Sequence, residues 1–408
     1  MKPEIVSPRR EKLLSSLNDQ DAVILFAALE AKLEKFKQEN NFLYLTGLSI
    51  PNAIYLGYKS SKGNMEYLFI QRSDPEREVW EGKKLSIEEA KEQSGISRVL
   101  YLDEFDNMLT AYAPAINRIF TNIGHQALDA PLSYAMFRLQ PVRERYPQIA
   151  ILCITQIITP LRKIKSEWEI MQLQKAIDVT GKGIMDIWEN AKPGMMEYEL
   201  EAMLFYRIQR SGLKHWGFAP IIATGINAAT LHYEKNECQI ASNDLVLMDV
   251  GASNMNYSAD ISRTFPISGT FSRRQADVYN AVLRVQKHII GMIRPGRTLG
   301  ELQSKTRELI AKELMELGLI EDASQLMKYY MHGVSHFLGM DTHDVGGRES
   351  MLEPGNVITV EPGIYIPEES IGVRIEDDVL VTKEGYCVLS QNIPKEISEL
   401  EDILKARA

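Results

Sequence analysis

Apolar positions along this chain follow two regimes. Over residues 1–158 they come in short runs. "DAVILFAA" (21–28), "FLYLTGL" (42–48), "AIYLGY" (53–58) and "EYLFIQ" (66–71) predict strands, being brief and rich in β-branched and aromatic side chains. "SIEEAKEQSG" (86–95) predicts a capped helix ending at Gly95. "IAILCITQII" (149–158) is too short to span a bilayer and predicts a buried strand. "TPLRKIKSEWEI" (159–170) then predicts a hinge, with Pro160 breaking the pattern, a solvated basic run, and Ser166 capping a helix that begins at Glu167.

Beyond the hinge the period lengthens to that of helices, and the pattern repeats. The long helical stretches "EIMQLQKAIDVTGKGIMDIW" and "RRQADVYNAVLRVQKHIIGMI" are each followed by a Pro-Gly pair and a second helix, ending at Gly212 and Gly318. Pro193-Gly194 with Glu199-Leu200 matches Pro295-Gly296 with Glu301-Leu302 at an offset of 102 (295−193 and 301−199). A strand section follows each helix pair. Asp249 and Gly251 in "LVLMDVG" match Glu361 and Gly363 in "VITVEPG" at an offset of 112 (361−249 and 363−251). A second acid comes later in each half, Asp260 in "SADISRTF" and Glu376 in "RIEDDVLV". Four matches in one order predict a duplicated helix-helix-sheet unit.

The acids sit badly in such strands. "NVITVEPGIYIPEESIGVRIEDDVLV" (356–381) reads as two strands with Glu361 inside the first and Glu376 inside the second, and a lone carboxylate there carries a heavy desolvation cost. If the halves pack about a pseudo-twofold axis, four carboxylates share one cavity. Two unit charges ~5 Å apart repel by roughly 3 kcal/mol at an effective dielectric near 20. The cluster therefore needs counter-charge or protons, and two divalent cations cancel four negative charges. A further ligand is expected from "YYMHGVSHFLGMDTHDVGG", which holds His332, His336 and His343, three of the seven histidines, with His232 in "TLHYEKNECQ" a fourth candidate. His125, His215 and His288 stand in no polar constellation and read as surface or satisfied core residues. Taken singly, the other pieces have plainer readings. Asp249 and Asp260 could be hairpin-turn residues, Glu361 and Glu376 could pair with Arg374 or Lys383, and His336 could belong to the core.

Length, charge and cysteine usage narrow the setting. At 408 residues two domains are the default, and we place them at 1–158 and 164–408. The net charge of −9 argues against nucleic acid as a partner. The N-terminal stretch has no apolar signal region and no run is long enough to cross a membrane. Three widely spaced cysteines (Cys153, Cys238, Cys387) imply a reducing, cytoplasmic setting without a disulfide frame. CxxC, HExxH, P-loop and GxSxG patterns are absent, so their chemistries lack support.

The segments "LMDVGASNMNYSADISRTFP", "MHGVSHFLGMDTHDVG", "ITVEPGIYI" and "GVRIEDDVLVT" together resemble the signature segments of the creatinase/aminopeptidase superfamily, the pita-bread fold. They most resemble its proline-specific dimetal branch, the Xaa-Pro aminopeptidases (aminopeptidase P) and Xaa-Pro dipeptidases. "QENNFLYLTGLSIPNAIYL" and "REVWEGKKL" are similar to the aminopeptidase P N-terminal domain. The resemblance implies an α/β (α+β) protein, with an N-terminal mixed α/β domain followed by a pseudo-twofold pita-bread metallopeptidase domain. It implies a metal-ligand set of Asp249, Asp260, His336, Glu361 and Glu376, with Asp260 and Glu376 bridging two ions and a water or hydroxide between metals about 3.5–4 Å apart. Glu361 would also orient the water and take its proton, His232 would stabilise the oxyanion, and His343 would serve the leaving proline nitrogen. His332, Tyr365 and Arg374 would contact substrate, with Tyr365 otherwise core packing and Arg374 otherwise a brace. Trp80 resembles a tryptophan near the substrate cleft, sometimes supplied by a neighbouring subunit, with ordinary packing the alternative.

With four carboxylates among five ligands, Mn²⁺ is the expected cofactor, Co²⁺ or Zn²⁺ being alternatives. The implied activity is removal of an N-terminal residue from peptides with proline second. The alternatives are an Xaa-Pro dipeptidase and a catalytically silent peptide- or partner-binding protein on the same fold. Methionine aminopeptidase lacks so large an N-terminal domain, and metal-free creatinase chemistry would not retain all five ligands. A homo-oligomer, dimer or tetramer, is implied by the resemblance alone.

Overall fold

In the computed structural model, which describes residues 1–30, 35–124, 127 and 129–406, the chain divides into two units, Met1–Leu161 and Arg162–Ala408. The first runs α1 (Pro3–Ser15), β1 (Asp21–Phe26), α2 (Asn40–Thr46), β2 (Ile54–Ser60), β3 (Gly63–Ile70), α3 (Pro75–Glu81), α4 (Ile87–Ser94), β4 (Val99–Tyr101), α5 (Phe105–Tyr112), β5 (Arg118–Thr121), α6 (Tyr134–Arg145), β6 (Ala150–Cys153) and α7 (Thr155–Lys163). Its strands form one sheet in the order β4-β3-β2-β1-β5-β6. Strand β1 is buried on both faces. Ala22, Ile24 and Phe26 meet Phe105 and Leu109 of α5 and Leu139 and Val142 of α6. Against the other face lies α1, so close that a Cβ on Gly57 of β2 would come within 2.8 Å of a Leu14 methyl.

Four expectations fail here. "FLYLTGL" is not a strand but lies mostly in α2. Its first N–H groups are capped by the Glu39 carboxylate, and Gly47 ends it at φ +73°. Every residue from Asn41 to Thr46 is buried, so no amphipathic period betrays the helix. "IAILCITQII" is not one buried strand. Its first half forms the partly exposed edge strand β6, and its second enters α7. Pro160 lies inside α7 rather than ending it. The basic run is not solvated either, since Arg162 and Lys165 are both buried. The capped helix over 86–95 does form, with Ser86 and Glu89 as a capping box and Gly95 at φ +72°.

The second unit opens with α8 (Glu167–Asn190), capped by Ser166 as the sequence predicts, and α9 (Glu197–Arg210). Then come β7 (His215–Trp216), β8 (Ile221–Thr224), β9 (Leu245–Val250), β10 (Ala252–Asn254), β11 (Tyr257–Ser258) and β12 (Ile261–Pro266). The second half repeats a helix pair, α10 (Arg273–Met292) and α11 (Leu299–Glu316). After it come β13 (Val357–Val360), β14 (Gly363–Ile366), β15 (Ile371–Arg374), β16 (Asp377–Val381), β17 (Tyr386–Val388) and the terminal α12 (Ile397–Lys405).

Each half contains a hairpin that breaks midway, and the break explains where the acids fall. In the first, β9 pairs with β12 and β10 with β11. In the second, β13 pairs with β16 and β14 with β15. The stretch 356–381 is thus four strands, not two, and Glu361 and Glu376 are not inside strands but at the break between two ladders. Asp249 lies one pair from the end of the first-half ladder, opposite Ser262, and Asp260 directly precedes β12. At the second break the backbone turns to other partners: Glu376 N–H donates to Ser262 O (3.0 Å) and Glu361 N–H to Val334 O (2.9 Å). Gly251 lies at the first break, where an added Cβ would stand 1.8 Å from the Ala259 carbonyl oxygen. Gly251→Ala must therefore push the facing backbones apart, and a thermal melt should register a loss of about 3 kcal/mol or more. A native melting temperature would contradict that close approach.

Candidate active site

The two breaks open into one cavity of about 750 Å³ in the second unit. Asp249, Asp260, His336, Glu361 and Glu376 all line it, as do His232, His332, His343 and Arg374. Ligand atoms of Asp260, His336 and Glu376 lie within 4.8 Å of one another. His336 Nε2 is 3.3 Å from Asp260 Oδ2 and 3.4 Å from Glu361 Oε1. Its Nδ1 lies 3.1 Å from Phe337 O and donates there, which holds the ring with Nε2 towards the acids.

Arg374 is buried, and each of its three nitrogens has a protein partner. It donates to Asp249 Oδ2 (2.7 Å), Tyr365 Oη (2.9 Å) and Ser262 Oγ (2.9 Å), so its ion pair is with Asp249 rather than with either glutamate. Tyr365 is wholly buried and is not among the residues lining the cavity. Its hydroxyl reaches the site through His332 Nε2 (2.8 Å) and Arg374. His332 Nδ1 lies 2.7 Å from Gly333 O, which fixes that ring from both ends. His232 and His343 stand exposed on the cavity wall. His288 is exposed on α10 and His215 half-buried on β7, both outside this lining, while His125 lies outside the described residues. Trp80 in the first unit is 88% exposed, so it is not core packing within its own chain.

The electrostatics fit a site built for cations. Burial pushes the Asp260 carboxyl up to about 7, with Asp249 and Glu361 adding to the rise against the opposing His336. Burial likewise raises Glu361, and it raises Glu376 well above the carboxylate range with help from Asp260, Glu361 and Asp249. For His336, burial opposes the charged form, but Asp260 and Glu361 outweigh it and push the ring up to about 9. Burial and Arg374 together drop His332 to about 4, which keeps that ring neutral near pH 7. Burial and His336 also lower His343. Asp249 Oδ1 is buried without a hydrogen bond. An unsatisfied carboxylate oxygen on a residue of this acid-lined wall calls for a counter-ion, and the set of four carboxylates and one imidazole suits a hard-to-borderline divalent ion.

Two hydroxyls that the motifs did not flag complete the arrangement. Ser262 Oγ donates to Glu376 Oε2 (2.7 Å) while accepting from Arg374. Thr359 Oγ1 donates to Glu361 Oε1 (3.3 Å) and accepts from His336 N–H (3.1 Å). Each stands two positions from an acid (Asp260 and Glu361), the spacing that shares a strand face, and that was the available signal.

Comparison with known proteins agrees with this geometry. The family described as Metallopeptidase family M24 matches residues 171–383, and that described as Aminopeptidase P, N-terminal domain, matches residues 7–120. An Xaa-Pro aminopeptidase of Haemophilus influenzae is 32% identical over 97% of this chain and 96% of its own. Among solved structures, a Bacillus anthracis chain assigned as an aminopeptidase P is 42% identical, with a TM-score of 0.96 over 100% of this chain and 99% of that one. Aminopeptidase P of Escherichia coli, with the inhibitor Pro-Leu, is 30% identical with a TM-score of 0.90 over the same shares.

Proposed function

This chain belongs to metallopeptidase family M24, and we propose that within its pita-bread fold Asp249, Asp260, His336, Glu361 and Glu376 hold two divalent metal ions. Its activity is metal-dependent removal of an N-terminal residue that precedes proline. When bound, the two ions neutralise the acids, polarise the scissile carbonyl and make a water acidic enough to attack near neutral pH. Glu361, steadied by the Thr359 hydroxyl, orients that water and takes its proton. His232 donates to the carbonyl oxygen as charge develops there. His343 delivers a proton to the departing proline nitrogen. His332, neutral and fixed from both ends, offers a flat wall to the proline ring. Arg374 and Tyr365 hold Asp249 and His332 in place; for both, the committed hydrogen bonds favour bracing over substrate contact. The X-Pro bond has no N–H and a ring-constrained nitrogen, so a shaped cavity suits it better than a strand-like substrate clamp.

The observation that carries this reading is the convergence of Asp260, His336 and Glu376 ligand atoms within 4.8 Å in a cavity that Asp249 and Glu361 also line. Mn²⁺ is the proposed ion, with Co²⁺ or Zn²⁺ as alternatives. The test uses protein stripped by chelation, then reloaded with each ion, and offered an Xaa-Pro dipeptide and an Xaa-Pro-Yaa peptide. Mass spectrometry should find the free first residue and Pro-Yaa only after reloading. Reloading should also raise the melting temperature, because ligands that bind only the folded state stabilise it. Cleavage of the dipeptide alone would reassign the chain as an Xaa-Pro dipeptidase. Metal uptake with no cleavage would make it a silent scaffold.

A homo-oligomer, dimer or tetramer, is proposed from Val79 and Trp80 on α3, which are 84% and 88% exposed. A cytoplasmic setting is proposed from three free cysteines. Among the described residues no helix is long and apolar enough to cross a membrane.

A further inference from the structure

We propose that Glu197 is a positioning residue for His232 and acts through Tyr233, an inference that rests on the peptidase reading above. Glu197 opens α9 and its side chain is completely buried. Its Oε1 accepts from Thr224 N–H (2.9 Å), Thr224 Oγ1 (2.8 Å) and Asn227 Nδ2 (3.1 Å). Its Oε2 accepts from Tyr233 Oη (2.7 Å) and Cys238 N–H (2.9 Å). Its own N–H donates to Cys238 O (2.9 Å). One carboxylate therefore ties the end of β8, the 3-10 turn over Gly225–Ala229 and both ends of the segment that carries His232. None of these donors lines the cavity, and the catalytic scheme above gives this buried acid no role.

The segment needs such an anchor. Among the described residues no backbone–backbone hydrogen bond holds residues 231–235. Two side chains pin it instead. Asn236 accepts from Ile222 N–H (3.0 Å) and donates to Pro220 O (3.0 Å). Tyr233 turns inward, its ring against the apolar cluster of Ile221, Ala223, Ala228, Leu247 and Tyr365 and its hydroxyl on Glu197. His232, its neighbour, faces the cavity, as do Leu231 and Glu234. With Tyr233 fixed at ring and hydroxyl, the direction of the next side chain along the backbone is fixed too. An acid is the residue type required, because every group facing its oxygens is a donor. A glutamine there would turn its N–H₂ either on Tyr233 Oη and Cys238 N–H or on Thr224 N–H, Thr224 Oγ1 and Asn227 Nδ2, and in each set a backbone N–H has no lone pair to offer.

A double-mutant cycle on the Mn²⁺-loaded protein separates positioning from mere support. Tyr233→Phe keeps the partly buried ring and removes the hydroxyl, with its bond to Glu197 and its longer contacts to Cys238 Sγ and Glu237 N–H. It should lower kcat for an Xaa-Pro-Yaa peptide about tenfold with KM little changed. In a His232→Ala background the same substitution should change kcat by less than about twofold. A second readout does not depend on activity: in protein with ¹³C-labelled histidine, Tyr233→Phe should shift and broaden the His232 ring signal and spare that of His288. An equal kcat loss in both backgrounds, or an unmoved His232 signal, overturns the proposal. If the parent protein loads metal but cleaves nothing, the peptidase reading fails, and the histidine spectrum still decides whether Tyr233 and Glu197 place that ring.

Discussion

Asp260→Asn is expected to lower kcat/KM for an Xaa-Pro-Yaa peptide by at least about a thousandfold, roughly 4 kcal/mol of transition-state stabilisation, while leaving the metal-free protein as stable as the parent or more so. The two halves of this expectation have one cause. Asp260 is buried beside Asp249, Glu361 and Glu376. With cations present its charge helps to hold them. Without cations the same charge faces like charges in a cavity that desolvates it, and an amide of the same shape relieves that repulsion. The gain in the metal-free protein should be about 0.5–2 kcal/mol, the usual yield when a functional site is relaxed towards stability. Three measurements on parent and variant check this: metal content, peptide turnover and a chelator-treated thermal melt. Turnover within tenfold of the parent with both ions retained would remove Asp260 from the site. A large fall in the chelated melting temperature would make it a structural residue instead.

The same electrostatics explain why so much of the site could be read from the sequence. A carboxylate between β-branched residues has few tolerable explanations, and a second acid following in each repeated half leaves fewer. Asp249 with Glu361, and Asp260 with Glu376, therefore pointed to a shared cation before any geometry was known. The helix starts at Ser86 and Ser166 were equally legible, because both form capping boxes through strictly local spacing. Legibility ended where burial removed the pattern. The helix α2 is buried all round, so its residues carry no period. Arg162 and Lys165 are ordinary solvent-facing types whose burial is decided by an acid about 180 positions away. The break that sets Glu361 and Glu376 opposite each other is a change of backbone partner, to Val334 and Ser262, which no local composition encodes. Glu197 escaped for the same reason: its five donors are scattered over residues 224–238 and converge only after folding.

That distant acid carries the second large effect. Asp344→Ala should destabilise the second unit by roughly 3–5 kcal/mol at pH 7, the range for breaking a buried ion pair by removing one partner. Asp344 is buried, and its carboxylate meets Arg162 Nη2 at 2.6 Å and Lys165 Nζ at 2.9 Å, with both cations also buried. Removing it leaves two cations sharing one half-exposed acid, Asp341, which is 2.7 Å from Arg162. Asp344 also closes the loop that presents His343, its N–H donating to Phe337 O (2.8 Å), so turnover should fall along with stability. The pH dependence has a definite sign. Burial opposes the Asp344 charge, but Lys165 and Arg162 prevail and hold the carboxyl below its ordinary value of 3.8. A folded-state value lowered in this way contributes stability that is fully present above about pH 5 and is lost as the pH falls through and below 3.8. Denaturation of parent and variant should therefore show a wide gap at pH 7 that narrows in acid. A gap under about 1 kcal/mol at pH 7, or one unchanged at pH 3, would mean that the two buried cations find their counter-charge elsewhere.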